Sequence, residues 1–89
     1  MPFALICRDR PGALETRVAN RAAHLDYIAR TGVVSLAGPL IADGAMCGSL
    51  IVLDVAERAA AEAWAAADPY KAADLFASVE IIEWKRVIG

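Results

Sequence analysis

Residues 33–55 read VVSLAGPLIADGAMCGSLIVLDV. Asp43-Gly44, near the middle, is a pairing favoured in two-residue hairpin turns, where both positions take positive φ. The flanking runs, 33–42 and 45–55, are rich in strand formers, so the stretch predicts two antiparallel strands tightly joined. Gly38-Pro39 interrupts the first. Proline removes a ladder hydrogen bond and glycine admits close approach, so the pair either opens the sheet for a ligand or relieves strain at a bend. Gly48-Ser49 marks a bulge or a close backbone approach in the second strand, where Ser49 either donates to a ligand or is simply small. Both strands are apolar toward both faces, most plainly over residues 50–53, so the sheet asks to be covered twice.

Before the hairpin, residues 3–8 (FALICR) read as a strand that stops at Asp9-Arg10-Pro11-Gly12, a turn cluster. A helical pattern then runs from Pro11 to Arg30 and ends at Gly32. Within it, residues 17–28 (RVANRAAHLDYI) hold the only histidine of the 89 residues. At about 3.6 residues per turn, Leu14, Val18, Ala22, Leu25 and Ala29 form an apolar stripe, with Arg17, Arg21 and His24 along its border. Those three either reach the mouth of a cleft or solvate the helix's outer flank. After the hairpin, Asp54 and Glu57 resemble a capping box, and the alanine-rich run to Ala67 has high helix propensity, with Trp64 as its one bulky anchor. Asp68-Pro69 stops that helix and suits the N-cap and first position of a short helix over 70–75. Residues 78–88, with charges spaced among apolar residues, read as an edge strand.

The order is βαββαβ, an α+β, ferredoxin-like arrangement: one domain over residues 1–89, with an antiparallel four-stranded sheet and two helices on one face. Two helices cover one face only. At roughly 25 cal/mol per Å2 of apolar area, a second copy of the chain is the simplest cover for the other, so a homodimer or higher homo-oligomer with sheets face to face is expected.

Composition narrows the function classes. A net charge of −2 with acids and bases interspersed offers neither a basic stripe for nucleic acid nor a polybasic membrane anchor. The amino-terminal apolar run is too short for a signal-peptide core or a membrane span, so a cytoplasmic location is expected. Cys7 and Cys47 lie in apolar runs without metal-ligand spacing, consistent with buried free thiols. No phosphate-binding glycine loop, metal motif or recognisable nucleophile is present, so no cofactor and no metal are expected, and chemistry would rest on acid and base alone. His24 and Asp68 are the candidates: an aspartate accepting from one imidazole nitrogen fixes the tautomer and leaves the other as a base. Asp68 before proline is equally a routine helix cap. Arg17 and Arg21 either hold an anionic substrate or are solvated.

RVANRAAHLDYI, LAGPL, GSLIV and AWAAADPY, in this order and spacing, resemble the YciI-like (YCII-related) family over nearly the whole chain. The resemblance implies a ferredoxin-like subunit in a dimeric α/β barrel, similar in architecture to muconolactone isomerase, with a cleft built around a His-Asp pair. It assigns the histidine to His24, the aspartate to Asp68 in Asp68-Pro69-Tyr70, the helix arginine to Arg21, and strand contacts to Gly38, Pro39 and Ser49. Tyr70 and Arg17 complete the expected small-molecule site. The implied chemistry is isomerisation, lactone conversion or elimination of a halide from a hydroxylated ring. The alternative is a non-catalytic metabolite-binding or accessory dimer, as in the similarly ordered ACT-type regulatory domains. The hairpin at residues 42–45 is shorter than relatives can carry.

Overall fold

The protein is described by a computed structural model covering residues 2–89. Its elements are β1 (Phe3–Asp9), α1 (Leu14–Thr31), β2 (Val34–Ala42), β3 (Ala45–Leu53), α2 (Arg58–Ala66), α3 (Pro69–Ala72) and β4 (Phe76–Glu83). The four strands form one antiparallel sheet in the order β2-β3-β1-β4, the ferredoxin-like arrangement with β2 and β4 at the edges. Edge placement explains two features of composition. Charged side chains punctuate β4, and Pro39 sits in β2, where one row of ladder groups faces away from the sheet and a missing N–H is tolerated. Gly38-Pro39 does not break the strand, since Gly38 pairs with Leu50 and Pro39 with Ser49 in unbroken register.

The hairpin turns through Asp43 and Gly44, both at positive φ (51° and 76°). Farther along, β3 pairs Gly48 with Leu40 and then Met46 with Ile41, leaving Cys47 as the extra residue of a bulge. Gly48 itself approaches β1 so closely that a Cβ would collide with the Cys7 carbonyl oxygen, so both readings of Gly48-Ser49 hold. α1 ends at Gly32 in the left-handed conformation (φ 68°), whose N–H donates to the Ile28 carbonyl.

The core lies between the sheet and the helices. Phe3, Leu5 and Cys7 of β1 and Ile51 and Leu53 of β3 point to the same side and meet Ala13, Tyr27, Ala61, Trp64, Tyr70, Leu75 and Phe76. Trp64 anchors α2 as expected: its indole Nε1 donates to the Thr31 hydroxyl at 2.9 Å, and the Tyr27 hydroxyl donates to its carbonyl at 2.8 Å. These bonds clasp α1 to α2 while both aromatic bodies stay buried.

Three expectations are corrected. The apolar stripe of α1 is not its buried face: Leu14, Val18 and Leu25 are 44%, 58% and 45% exposed, whereas Arg17, His24 and Tyr27 are buried. Val18 and Leu25 each follow a buried residue by one position, which on a helix is a turn of about 100°. The helix can bury this polar row because Arg17 meets Asp9 and Ser49 on the sheet while His24 and Tyr27 meet Asp68 and the Trp64 carbonyl beside it, which offsets the cost of burial. Second, Asp54 caps no helix. Its N–H donates to the Val33 carbonyl, and α2 starts four residues later, with Glu57 in the N-cap position and no side-chain cap bond. Third, the short helix spans Pro69–Ala72, and β4 begins at Phe76 and ends at Glu83, two residues before and five before the limits read from composition.

The face of the sheet turned from the helices carries an apolar row across all four strands. Leu36 pairs with Val52, Val52 with Ala4, and Ala4 with Ile82. Beside it stand Leu50 and Ile6. Ala4 and Val52 are buried by their neighbours, while Leu36, Leu50 and Ile82 remain 36–42% exposed.

Candidate active site

The polar row of α1 and the inner face of β3 enclose a cavity of about 150 Å3. At one wall His24 Nδ1 lies 2.8 Å from Asp68 Oδ1, and both side chains are buried. Asp68 is at the same time the N-cap of α3: its Oδ1 accepts from the Tyr70 backbone N–H at 3.0 Å, with Pro69 in the first turn. The capping role and the histidine-binding role, read as alternatives from the sequence, are one geometry. A helix cap holds its side chain in a single rotamer, so the carboxylate that meets His24 is already fixed. A carboxylate accepts and cannot donate, so the hydrogen of this bond is on Nδ1, and Nε2 is the ring nitrogen that makes no hydrogen bond among the described residues. Tyr70 stacks on the imidazole with ring centroids 4.0 Å apart and planes 15° from parallel. Burial raises the Tyr70 phenol above its ordinary pKa against the opposing pull of Arg17 and Arg21, so it stays neutral.

The floor is a second buried network. Arg17 Nε and Nη2 donate to Asp9 Oδ2 and Oδ1 at 2.7 and 2.8 Å, and Nη2 also donates to Ser49 Oγ at 2.9 Å. The guanidinium lies over the Tyr70 ring, 4.9 Å from its centroid. Burial works against the charge of Arg17, but the hydrogen bond and attraction of Asp9 outweigh it and raise its pKa above the ordinary value. Cys7 lies beneath; burial, reinforced by Asp68, pushes its thiol up to about 12. It is therefore expected to resist iodoacetamide at pH 8 in the folded protein, and rapid loss of the Cys7 peptide in a mass-spectrometric time course would contradict this packing.

The candidate site residues come to this place. Arg17, Arg21, His24, Gly38, Pro39, Ser49 and Tyr70 line the cavity, and Asp68 stands behind His24. Arg21 is exposed at the rim, whereas Arg17 is buried with its fork committed to Asp9. Asp9 was missed. It lies in the turn cluster that ends β1, where an aspartate needs no further explanation, and only the Arg17 contact reveals its role. The apolar lining, Leu25, Ile28, Ala37, Met46 and Ile51, was also unread, and Met46 reaches the cavity through the Cys47 bulge. Among the described residues no three His, Cys, Asp or Glu side chains cluster to hold a metal ion, and no helix is long and apolar enough to cross a membrane.

A family model described as the YCII-related domain matches residues 1–85, which includes every residue of the cavity. The chain belongs to the YCII-related family. Its YCII-related relatives include protein YciI of Escherichia coli, 33% identical over 97 aligned positions that cover 98% of this chain and 99% of the relative. An uncharacterized protein of Haemophilus influenzae is 30% identical over the same extent. Ninety-seven positions exceed the 89 residues present here, so these YCII-related relatives carry residues this chain lacks. Among solved structures, 5-chloro-2-hydroxyhydroquinone dehydrochlorinase (TftG) of Burkholderia phenoliruptrix, in complex with 2,5-dihydroxybenzoquinone, superposes with a TM-score of 0.89 at 30% identity, covering 96% of this chain and 94% of that one.

Proposed function

We propose that the cavity is the active site of a cofactor-independent acid/base enzyme acting on a small oxygenated ring, and that the enzyme works as a homodimer. The observation that carries the chemistry is the His24–Asp68 bond, which leaves one free basic nitrogen at the wall of a small cavity. Nε2 takes a proton from a ring hydroxyl, the oxygen's electron pair moves into the ring, and Arg21 at the rim offsets the negative charge that builds up. Protonated His24 delivers that proton to the halide-bearing ring carbon, and a second ring hydroxyl then gives its proton to the regenerated Nε2 as the halide leaves with its bonding pair, so the ring loses one hydrogen halide overall and becomes a quinone. The apolar lining suits a flat ring, and TftG, the dehydrochlorinase with the same fold, supports this substrate class. Isomerisation and lactone conversion use the same proton transfers.

The test is chloride release from 5-chloro-2-hydroxyhydroquinone by the purified protein, alongside calorimetric titration with 2,5-dihydroxybenzoquinone. Catalysed release with saturable binding is expected. No binding and no turnover would end the proposal, and binding without turnover on ring substrates would make the cavity a receptor site instead.

The dimer rests on the row Leu36-Val52-Ala4-Ile82 with Leu50 beside it. Several hundred Å2 of such surface at roughly 25 cal/mol per Å2 amounts to many kcal/mol if a second copy covers it. Light scattering at micromolar concentration is expected to give twice the 9.4 kDa of one chain, and Leu50→Glu to give a monomer. A stable wild-type monomer would refute it.

A further inference from the structure

We infer that Ser49 is the residue that orients the ligand, as an obligatory hydrogen-bond donor whose polarity is set by Arg17 and, behind it, Asp9. A guanidinium has donors only, so in the 2.9 Å contact Arg17 Nη2 donates and Ser49 Oγ accepts. The hydroxyl hydrogen must point elsewhere, and Ser49 makes no other side-chain hydrogen bond among the described residues. Ser49 is 3% exposed and lines the cavity, so the hydrogen's outlet is the cavity itself. Left to itself a serine hydroxyl rotates and can donate or accept; here the choice is removed. Asp9 keeps it removed, because its two oxygens take Nε and Nη2 and hold the fork in one plane.

Paired with the acid/base reading of His24, on which this inference rests, the cavity presents an acceptor from α1 and a donor from β3. The complementary ligand carries a hydroxyl and, on the same ring, a carbonyl or oxyanion: a hydroxyquinone or a comparable enolised dicarbonyl. The hydroxyl meets Nε2 and the carbonyl oxygen meets Ser49. As His24 withdraws the proton, negative charge spreads onto that second oxygen and the Ser49 bond strengthens, which is the condition for lowering a barrier rather than merely binding. Ser49 thus touches the substrate, and Arg17 and Asp9 act through it as positioning residues.

The experiment titrates 2,5-dihydroxybenzoquinone into wild type, Ser49→Ala, Ser49→Thr, Arg17→Lys and the double variant Arg17→Lys/Ser49→Ala, following heat and the quinone's visible absorption. Loss of a hydrogen bond to a charged oxygen predicts that Ser49→Ala weakens binding about 10- to 100-fold. It also removes the spectral shift of bound quinone, while Ser49→Thr, which keeps the hydroxyl, restores both. Arg17→Lys weakens binding in the wild-type background and adds nothing in the Ser49→Ala background, as expected for residues in series. Should Arg17→Lys fail to fold, the two Ser49 variants still decide the matter. If wild type binds and His24→Ala impairs turnover while Ser49→Ala binds and shifts the quinone as wild type does, this inference falls and the acid/base reading stands. If wild type does not bind the quinone, both fall.

Discussion

Replacing His24 with alanine is expected to lower turnover by about 10²- to 10⁴-fold, the range that a positioned general base contributes. Asp68→Asn is the sharper companion. His24 Nδ1 and the Tyr70 N–H meet the same oxygen, so an asparagine either keeps its carbonyl oxygen there, holding the cap without the negative charge that steadies a protonated imidazole, or turns its amide there, which gives up the cap, donates to Nδ1 and silences the base. Turnover is expected to fall by a factor similar to that for His24→Ala, and the double variant to be no worse than either single one, because the two groups work as a unit. Steady-state chloride release measured on protein shown to be folded by circular dichroism checks this. A folded His24→Ala protein with unchanged turnover would remove His24 from the chemistry.

The second large effect is on stability. Arg17→Met should destabilise the fold by about 3–5 kcal/mol, the usual cost of leaving one member of a buried ion pair alone. Both side chains are almost wholly shielded, at 4% and 6% exposure, so water cannot take over the lost partner. Asp9→Asn/Arg17→Met, which removes both charges together, should recover a large part of the loss, because methionine fills much of the arginine's volume without demanding a partner. Urea denaturation midpoints at constant m-value measure both. If Arg17→Met costs under 1 kcal/mol, the network is less buried in solution than described here. The comparison also separates this pair from the exposed ones: Arg30–Asp26, 64% and 77% exposed, should contribute almost nothing.

These two expectations share a physical origin. α1 turns a row of hydrogen-bonding groups, not its aliphatic stripe, against the sheet. Arg17 is answered by Asp9, eight residues back across a turn, and by Ser49, 32 residues on, and His24 by Asp68, 44 residues on. Such a helix is stable only with the rest of the fold in place, so site and core are one structure. Leu14 and Val18 of the aliphatic stripe, left outside, and Leu25, half-exposed in the cavity lining, are the counterpart of that choice.

Local sequence by itself determined the order of elements, since three of the boundaries are written in residues whose backbone preferences act alone: Asp43-Gly44 for the hairpin, Gly32 for the end of α1, Asp68-Pro69 for the start of α3. Together with the family resemblance it also named His24, Asp68, Arg21 and Ser49 as residues to watch. Tertiary structure alone decided which side of α1 is buried, that Asp68 is both cap and histidine partner, and that Asp9 belongs to the site. The reason is that periodicity ranks residues by their own affinity for water. The free energy of burying Arg17 or His24 depends instead on partners from other elements of the fold, and only the folded chain brings them together.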